Sequence, residues 1–288
     1  MDWVNIILQG ALLGGLYALF AAGLSLMFGV MRLVNIAHGD LIVLSAYFAL
    51  VVVQTLGWHP LTSLVIVVPI MFVLGYLLQR GLLNFTLGGD ILPPLLVTFG
   101  LSVIIQNALL EAFSADSRRL QAGALETASV RLGDQLAVGW LPAIVFATAV
   151  VVIALLELLL YRTSLGRAFR ATSDDADTAR LYGVDNRHVF ALATAIALAV
   201  ASIAGVLLAI RTNFDPSIGP ARLIYAFEAV IIGGLGSLWG TLAGGVILGV
   251  AQSVGAALDP GWEILAGHIA FLLVLVLRPR GLFPKLAA

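Results

Sequence analysis

Residues 61–78 read LTSLVIVVPIMFVLGYLL, eighteen positions without one Asp, Glu, Lys or Arg. A helix needs about 20 predominantly apolar residues to cross hydrocarbon, so this stretch has bilayer length. Residues 41–53 and 271–277 are equally free of charge. Reading outward from this stretch, apolar runs fall near 4–30, 40–56, 61–79, 92–112, 140–161, 188–210, 222–256 and 262–278. The whole composition agrees: 61% of the 288 residues are apolar and 11% charged, whereas a soluble domain carries about 25% charge. Fifteen Lys and Arg with sixteen Asp and Glu are too few to cover a water-facing surface of this size. The sequence therefore predicts an all-α, polytopic integral membrane protein: one transmembrane domain over residues 1–288, with about eight transmembrane helices, some broken by glycine-rich segments.

Composition also removes several functions. The chain has no Cys, which excludes disulfides, thiol catalysis and Cys-based metal sites. Its one Lys, Lys285, stands between Pro284 and Leu286, so no Walker A loop exists to wrap phosphates. A net charge of −1 without a basic run gives no footprint for nucleic acid. The four histidines, His38, His59, His188 and His268, fall in different segments without ligand spacing, and no Ser/His or paired-Asp arrangement occurs at plausible depth. No catalytic residue, metal site or cofactor is expected. Met1-Asp2-Trp3 lacks the positive start of a cleaved signal peptide, so the first apolar run is expected to stay in the membrane.

Orientation follows from where the cations collect. Arg162, Arg167, Arg170, Arg180 and Arg187 share one loop, and Arg278, Arg280 and Lys285 the C-terminal tail; both are assigned to the cytoplasm. If 233–240 is a cytoplasmic turn between two short crossings, then the N-terminus, 112–139 and 211–221 lie outside. Ten basic residues, counting Arg32 and Arg80, are then inside, against Arg118, Arg119, Arg131, Arg211 and Arg222 outside. If 222–256 is a re-entrant pair or one tilted helix, the N-terminal half reverses. The external loop 112–139, with Asp116, Glu126 and Asp134 among three arginines and no apolar run, reads as a solvated surface, either a plain connection or a docking face for an external protein.

The loop at 161–185, YRTSLGRAFRATSDDADTARLYGVD, encodes two short helices. Leu165, Ala168, Phe169 and Thr172 recur at helical spacing and make one apolar stripe, with Arg167 and Arg170 facing away. Ser173 can cap the second helix, whose first turn carries Asp174, Asp175 and Asp177, and Gly183 suits the position just past its end. The small Ala176 and Ala179 lie on one side. Such a pair, held between two spans, is either a connecting surface loop or a handle offered to a cytoplasmic partner.

These residues carry a resemblance. Gly166-Arg-Ala-x-Arg-Ala171, followed by Asp174, Ala179 and Leu181-x-Gly-Val-Asp185, resembles the coupling loop of the permeases of branched-chain amino-acid (LIV-type) ABC importers. Asn35-Ile-Ala-His-Gly-Asp40 resembles that family's Asn-x-Ala-His-Gly-acidic motif. Residues 231–245, IIGGLGSLWGTLAGG, resemble its late glycine-rich segment, and Arg278-Pro-Arg-Gly-Leu-Phe283 its terminal signature. The four matches run in order along essentially the whole chain. The resemblance implies a multi-pass subunit of the cell (inner) membrane that forms a pathway with a second homologous permease. It further implies two cytoplasmic ABC ATPase subunits, an external solute-binding protein, and branched-chain or related amino acids as cargo, relatives being associated also with other amino acids and small amides such as urea. Loop 162–187, through Gly166, Arg167, Arg170, Ala171, Asp174, Ala179 and Gly183, would be the element the ATPases push. The rival is a self-contained secondary transporter or channel, which has no need for an amphipathic helix pair and tends to carry more mid-span acidic groups than Asp40 and Glu228.

Polar groups inside the spans are expensive and usually have a reason. Asn35, His38 and Asp40 sit where Gly29 and Gly39 interrupt the apolar pattern. Interrupted helices mark pathways in transporters, but the same residues also suit helix capping, with Asn35 or Asp40 as N-cap and His38 on a backbone group. Glu228 either faces a wet cavity or pairs with Arg222 or Arg211. The glycines of 233–249 suit tight packing, a turn at 236–237, or a broken helix along a pathway. Gln106 and Asn107 read as interhelical hydrogen bonders, and Trp58, Trp140, Trp239 and Trp262 as an aromatic belt at the span ends.

Overall fold

The apolar runs become helices in the computed structural model, which describes residues 3–87, 92–131 and 137–283; Lys285 and Asp134 lie outside the described residues. In chain order the helices are α1 (Trp3–Met31), α2 (His38–Leu56), α3 (Leu64–Gly81), α4 (Leu92–Phe113), the short α5 (Ala124–Thr127) and α6 (Trp140–Arg162). They continue with α7 (Ser164–Asp174), α8 (Ala176–Leu181), α9 (Asn186–Arg211), α10 (Gly219–Gly233), α11 (Leu238–Leu258) and α12 (Glu263–Leu277). Among the described residues eight of these, some extended by a 3-10 turn, are long and apolar enough to cross a membrane: α1, α2, α3, α4, α6, α9, α11 and α12. The protein is an all-α polytopic membrane protein. With 15 residues α10 is about 22 Å long at 1.5 Å per residue, short of the roughly 30 Å hydrocarbon thickness.

Helices α1 and α9 form the buried axis, with 83% of the most apolar window of each enclosed, while α12 lies at the periphery with 6%. Lipid tails are as apolar as leucine, so association in a bilayer rests on close backbone approach, and the glycines supply it. A Cβ on Gly14 would stand 2.4 Å from Val246 Cα, and one on Gly249 2.3 Å from Gly10 O, which fits α1 flush against α11. Gly233 and Gly240 lock α10 to α11 in the same way, at 2.2 Å and 2.4 Å. Between those two helices Gly234 and Gly236, at φ 106 and 78, turn the chain, and the Ser237 hydroxyl caps α11 by accepting from Gly240 N at 3.1 Å. Residues 233–249 thus combine the packing and turn readings.

Contacts sort the loops into two ends. At one end Ser173 Oγ donates to Gly29 O at 2.6 Å, Gly29 faces Gly236, Gly281 abuts Gly234, and Arg80 pairs with Asp185 at 3.7 Å. At the other, Arg118 and Phe214 form a backbone bridge, Arg119 Nε donates to Ile210 O at 3.2 Å, and Gln9 Nε2 donates to Ala137 O at 2.7 Å. Among the described residues Arg80 and the loop between α6 and α9 therefore lie at one end, and Arg118 and Arg119 at the other. The segment 112–139 is more built than a solvated connection: Leu120 and Ala122 are buried, and β1 (Ser129–Arg131) pairs antiparallel with β2 (Ala137–Gly139).

Candidate functional site

Helix α1 ends at Met31, Arg32 adopts a left-handed φ of 51, and the chain turns back along α1 without regular structure. His38 consequently stands beside Phe20, about three helical turns before the end of α1: its Nε2–H donates to Phe20 O at 2.8 Å. Leu33, Asn35 and Ala37 are buried along the way. Irregular backbone at this depth is tolerated only where protein encloses it. Asn35 meets part of that need, since its Oδ1 accepts from Ala37 N at 3.0 Å, but it is not the N-cap of α2, a position that Ala37 holds without a side-chain bond; His38 does take a backbone carbonyl, as one of the sequence alternatives has it.

Asp40 does not cap. Its carboxylate accepts from Ser102 Oγ at 2.5 Å and Gln106 Nε2 at 3.0 Å, with Ser102 near the midpoint of α4. A second helix start meets it there: a Cβ on Gly219, the first residue of α10, would stand 2.0 Å from Asp40 Oδ1, and one on Gly39 2.0 Å from Gly219 O. Two interrupted helices, α2 and α10, thus begin against each other inside the bundle, with an acidic side chain at the junction. Gln106 makes the interhelical bond expected of it, whereas Asn107 bonds only to Val103 O on its own helix. Nothing in the sequence singles out Ser102 beyond a hydroxyl in an apolar run.

Glu228 corrects the sequence reading of its partner. Neither Arg222 nor Arg211 pairs with it; His268 of α12 does, through Nδ1–H to Oε1. Arg222 instead lies over the Tyr225 ring, at 5.9 Å. Glu228 is 4% exposed. Forty residues separate it from His268, so no spacing rule connects them.

The loop between α6 and α9 folds as two helices, with two corrections. Ser173 is not the cap of α8, because its hydroxyl is spent on Gly29 O, and Asp174 is the last residue of α7; the cap is Asp175, whose Oδ1 accepts from Asp177 N and Thr178 N at 3.0 Å. The Thr178 hydroxyl, at 2.6 Å, together with those amides, holds the Asp175 carboxyl below the usual carboxylate range. Arg170 does not face away: its guanidinium donates to Leu160 O and covers the Tyr161 ring at 5.2 Å. Arg167 and Ala171 are exposed, and Phe169, Thr172 and Ala179 are buried. Gly166 could not be larger, since a Cβ there would lie 2.2 Å from Leu159 O and Leu160 O at the end of α6. Gly183, at φ 87, ends α8 as expected. Just before it Leu181 and Tyr182 are 86% and 85% exposed, apolar side chains that the sequence reading passed over. A cavity of about 530 Å³ opens between α7, the end of α1 and the 234–236 turn.

Interrupted helices that meet at a buried acidic junction are the architecture of a membrane transport protein. Residues 6–277 match the model of the family described as branched-chain amino acid transport system / permease component, and the chain belongs to that family. It is 30% identical to the high-affinity branched-chain amino acid transport system permease protein BraD of Pseudomonas aeruginosa, over 98% of this chain and 96% of that one. It is 27% identical to the corresponding LivH protein of Escherichia coli, over 96% and 94%. A shorter match, 29% identical over 43% of this chain and 30% of the other, joins it to LivM of Escherichia coli, also described as a permease protein of that system.

Proposed function

We propose that this chain is one of two homologous permease subunits of an ATP-driven importer in the cell (inner) membrane, carrying branched-chain or related amino acids. Two cytoplasmic ABC ATPases and an external solute-binding protein complete the assembly. The observation that carries this reading is the capped helix pair α7–α8, whose exposed tip at Leu181 and Tyr182 is an apolar contact waiting for a soluble partner. The positive-inside rule puts that tip in the cytoplasm, and 112–139 with 212–218 outside, where a binding protein docks. The relatives' names support the cargo, and the likeness to both LivH and LivM supports a second, similar permease.

In mechanism, closure of the ATPases moves loop 162–187. Arg170 on Leu160 O and Gly166 against α6 make the loop rigid, so displacement passes into α6; Ser173 on Gly29 passes it into α1. Arg167, Ala171, Asp174 and Gly183 line or shape the outer surface that is pushed, and Ala179 seats α8. The pathway runs past Asp40 and Glu228, with Asn35 and His38 fixing the break that admits it. Alternating access then requires only that the two junctions of α2 and α10 shift together.

Purification of the tagged chain in mild detergent from its own membrane tests the assembly. Recovery of a P-loop ATPase and a second apolar permease, with leucine uptake that requires ATP, is the expected result. Recovery of the chain alone, active in uptake without ATP, would make it a secondary transporter.

A further inference from the structure

Helix α4 has two faces, and the chain itself uses one of them. Thr98, Ser102, Ile105 and Leu109 are buried at helical spacing, and Ser102 on this face reaches Asp40 of α2. Pro93, Leu96, Gly100, Val103, Asn107 and Leu110 recur every three or four residues on the opposite side, because two residues turn a helix by about 200°. All of these but Gly100 are exposed, and a Cβ added to Gly100 would meet nothing within 4 Å.

The apolar members of that stripe are at home in lipid and decide nothing. Gly100 and Asn107 are different. The 22 residues of α4 make about 33 Å at 1.5 Å per residue, close to the roughly 30 Å of hydrocarbon. Asn107 stands about 9 Å from the Phe113 end on the same scale, inside the span. Its Nδ2 donates to Val103 O at 2.8 Å, on its own helix, and no other helix bonds it among the described residues. Lipid tails offer an amide no hydrogen bond. A glycine on an open face gains nothing against lipid either, but it lets a second backbone come close, and small residues with Asn are what contacts between membrane helices use. Seven residues apart, the two lie on one seam of alternating three and four, the spacing along which helices pack lengthwise and in which a single Asn sets the register.

We propose that the second, homologous permease subunit lays a transmembrane helix along this face of α4, with Gly100 as the notch where the backbones approach and Asn107 as the bond that sets their register. A soluble partner cannot reach this depth, so the occupant is another membrane-spanning chain. The inference rests on the importer reading above, which supplies that chain, and adds the face by which the two are joined. Asn107 is then the interhelical hydrogen bonder that its sequence suggests, with its partner in another subunit. The subunit contact stands one helix away from Asp40, since the other side of α4 carries Ser102 and Gln106.

The test extracts the tagged chain with its own transporter in mild detergent and reads the second permease recovered per tagged chain. Gly100→Leu fills the notch without meeting any residue of its own chain and is expected to lower that ratio about tenfold, as overpacking does. Asn107→Leu is expected to lower it about threefold, the effect of one interhelical hydrogen bond, with Asn107→Gln restoring part of it. A ratio unchanged in either Leu variant means that lipid covers the face and overturns the proposal. Loss of the tagged chain itself from the membrane in Gly100→Leu also overturns it, because the face would then be packed within its own bundle. Independently, Leu110→Cys gives a unique thiol in this Cys-free chain, and a photoreactive thiol reagent there is expected to join it to the second permease. A product holding two copies of this chain, or adducts with lipid alone, overturns the assigned occupant. An unaltered complex from which no second permease is recovered overturns the importer reading itself, a result seen before any variant is made.

Discussion

In the loop 162–187 the capping side chains serve the backbone, whereas the buried acids of the bundle interior are met by side chains of other helices. Thr163 caps α7 through Gly166 N, Asp175 caps α8 and Asp185 caps α9. This is the chemistry of a water-soluble helix pair, where capping groups satisfy the first free amides. At Asp40 the partners are Ser102 and Gln106, and at Glu228 the partner is His268. A membrane interior offers no water to take over a lost bond, so each interior group depends on a second element being in place. The caps of the loop are local, so each helix there holds its own start, while Ser173 on Gly29 ties the pair to α1; the interior acids are held by bonds that cross between helices.

The comparison breaks most severely at the point where two interrupted helices touch. Gly219→Ala places a methyl group 2.0 Å from Asp40 Oδ1 and should destabilise the bundle by about 3 kcal/mol, the upper part of the range for overpacking; loss of membrane-extracted monodisperse protein, or a lowered thermal midpoint in nanodiscs, would register it. A midpoint unchanged by that variant would mean that α2 and α10 do not meet as described. Asp40→Ala should cost about 2 kcal/mol, because it strands the Ser102 and Gln106 donors, and the double variant with Ser102→Ala should cost less than the sum, as coupled partners do. Equal and additive effects would make the junction a coincidence of packing.

Loop variants should be milder. Thr163→Ala removes one cap and should cost about 1 kcal/mol, read as faster amide exchange in the first turn of α7, with α2 and α10 untouched. The smallest effect is pH-dependent. Because the folded Asp175 carboxyl titrates below its ordinary value, its contribution is fully present above the ordinary carboxyl range of about 4 and is lost as pH falls through the lower folded value. Amide exchange in α8 should therefore hold steady from pH 7 to about 5 and quicken only in more acid solution. Opening already near pH 6 would point to another group.

What the sequence disclosed depends on how local each feature is. The charge-free run at 61–78 and its neighbours are enough for spans and fold class, and the turn read at 236–237 is legible because a Gly-Ser pair marks turns; the structure starts it two residues earlier, at Gly234. The stripe of Phe169 and Thr172, and Gly183 past the end of α8, are set by spacing within one turn. The cap was misplaced from Asp175 to Ser173 because both residues cap well, and only Gly29, 144 residues away, decides between them. Arg170 was read as outward for the same reason, its carbonyl partner lying on another helix. Ser102 and His268 were invisible because polar pairing between helices has no period.

The account turns most directly on the tip of α8. This chain has no Cys, so Tyr182→Cys introduces a unique thiol, and a short bifunctional thiol reagent applied to the native membrane assembly reports what stands against it. The account predicts a cross-linked product with an ATPase subunit, and no labelling of intact cells by a membrane-impermeant reagent. Ready labelling of Tyr182→Cys from outside, with no ATPase adduct, would contradict both the sidedness and the role of the loop.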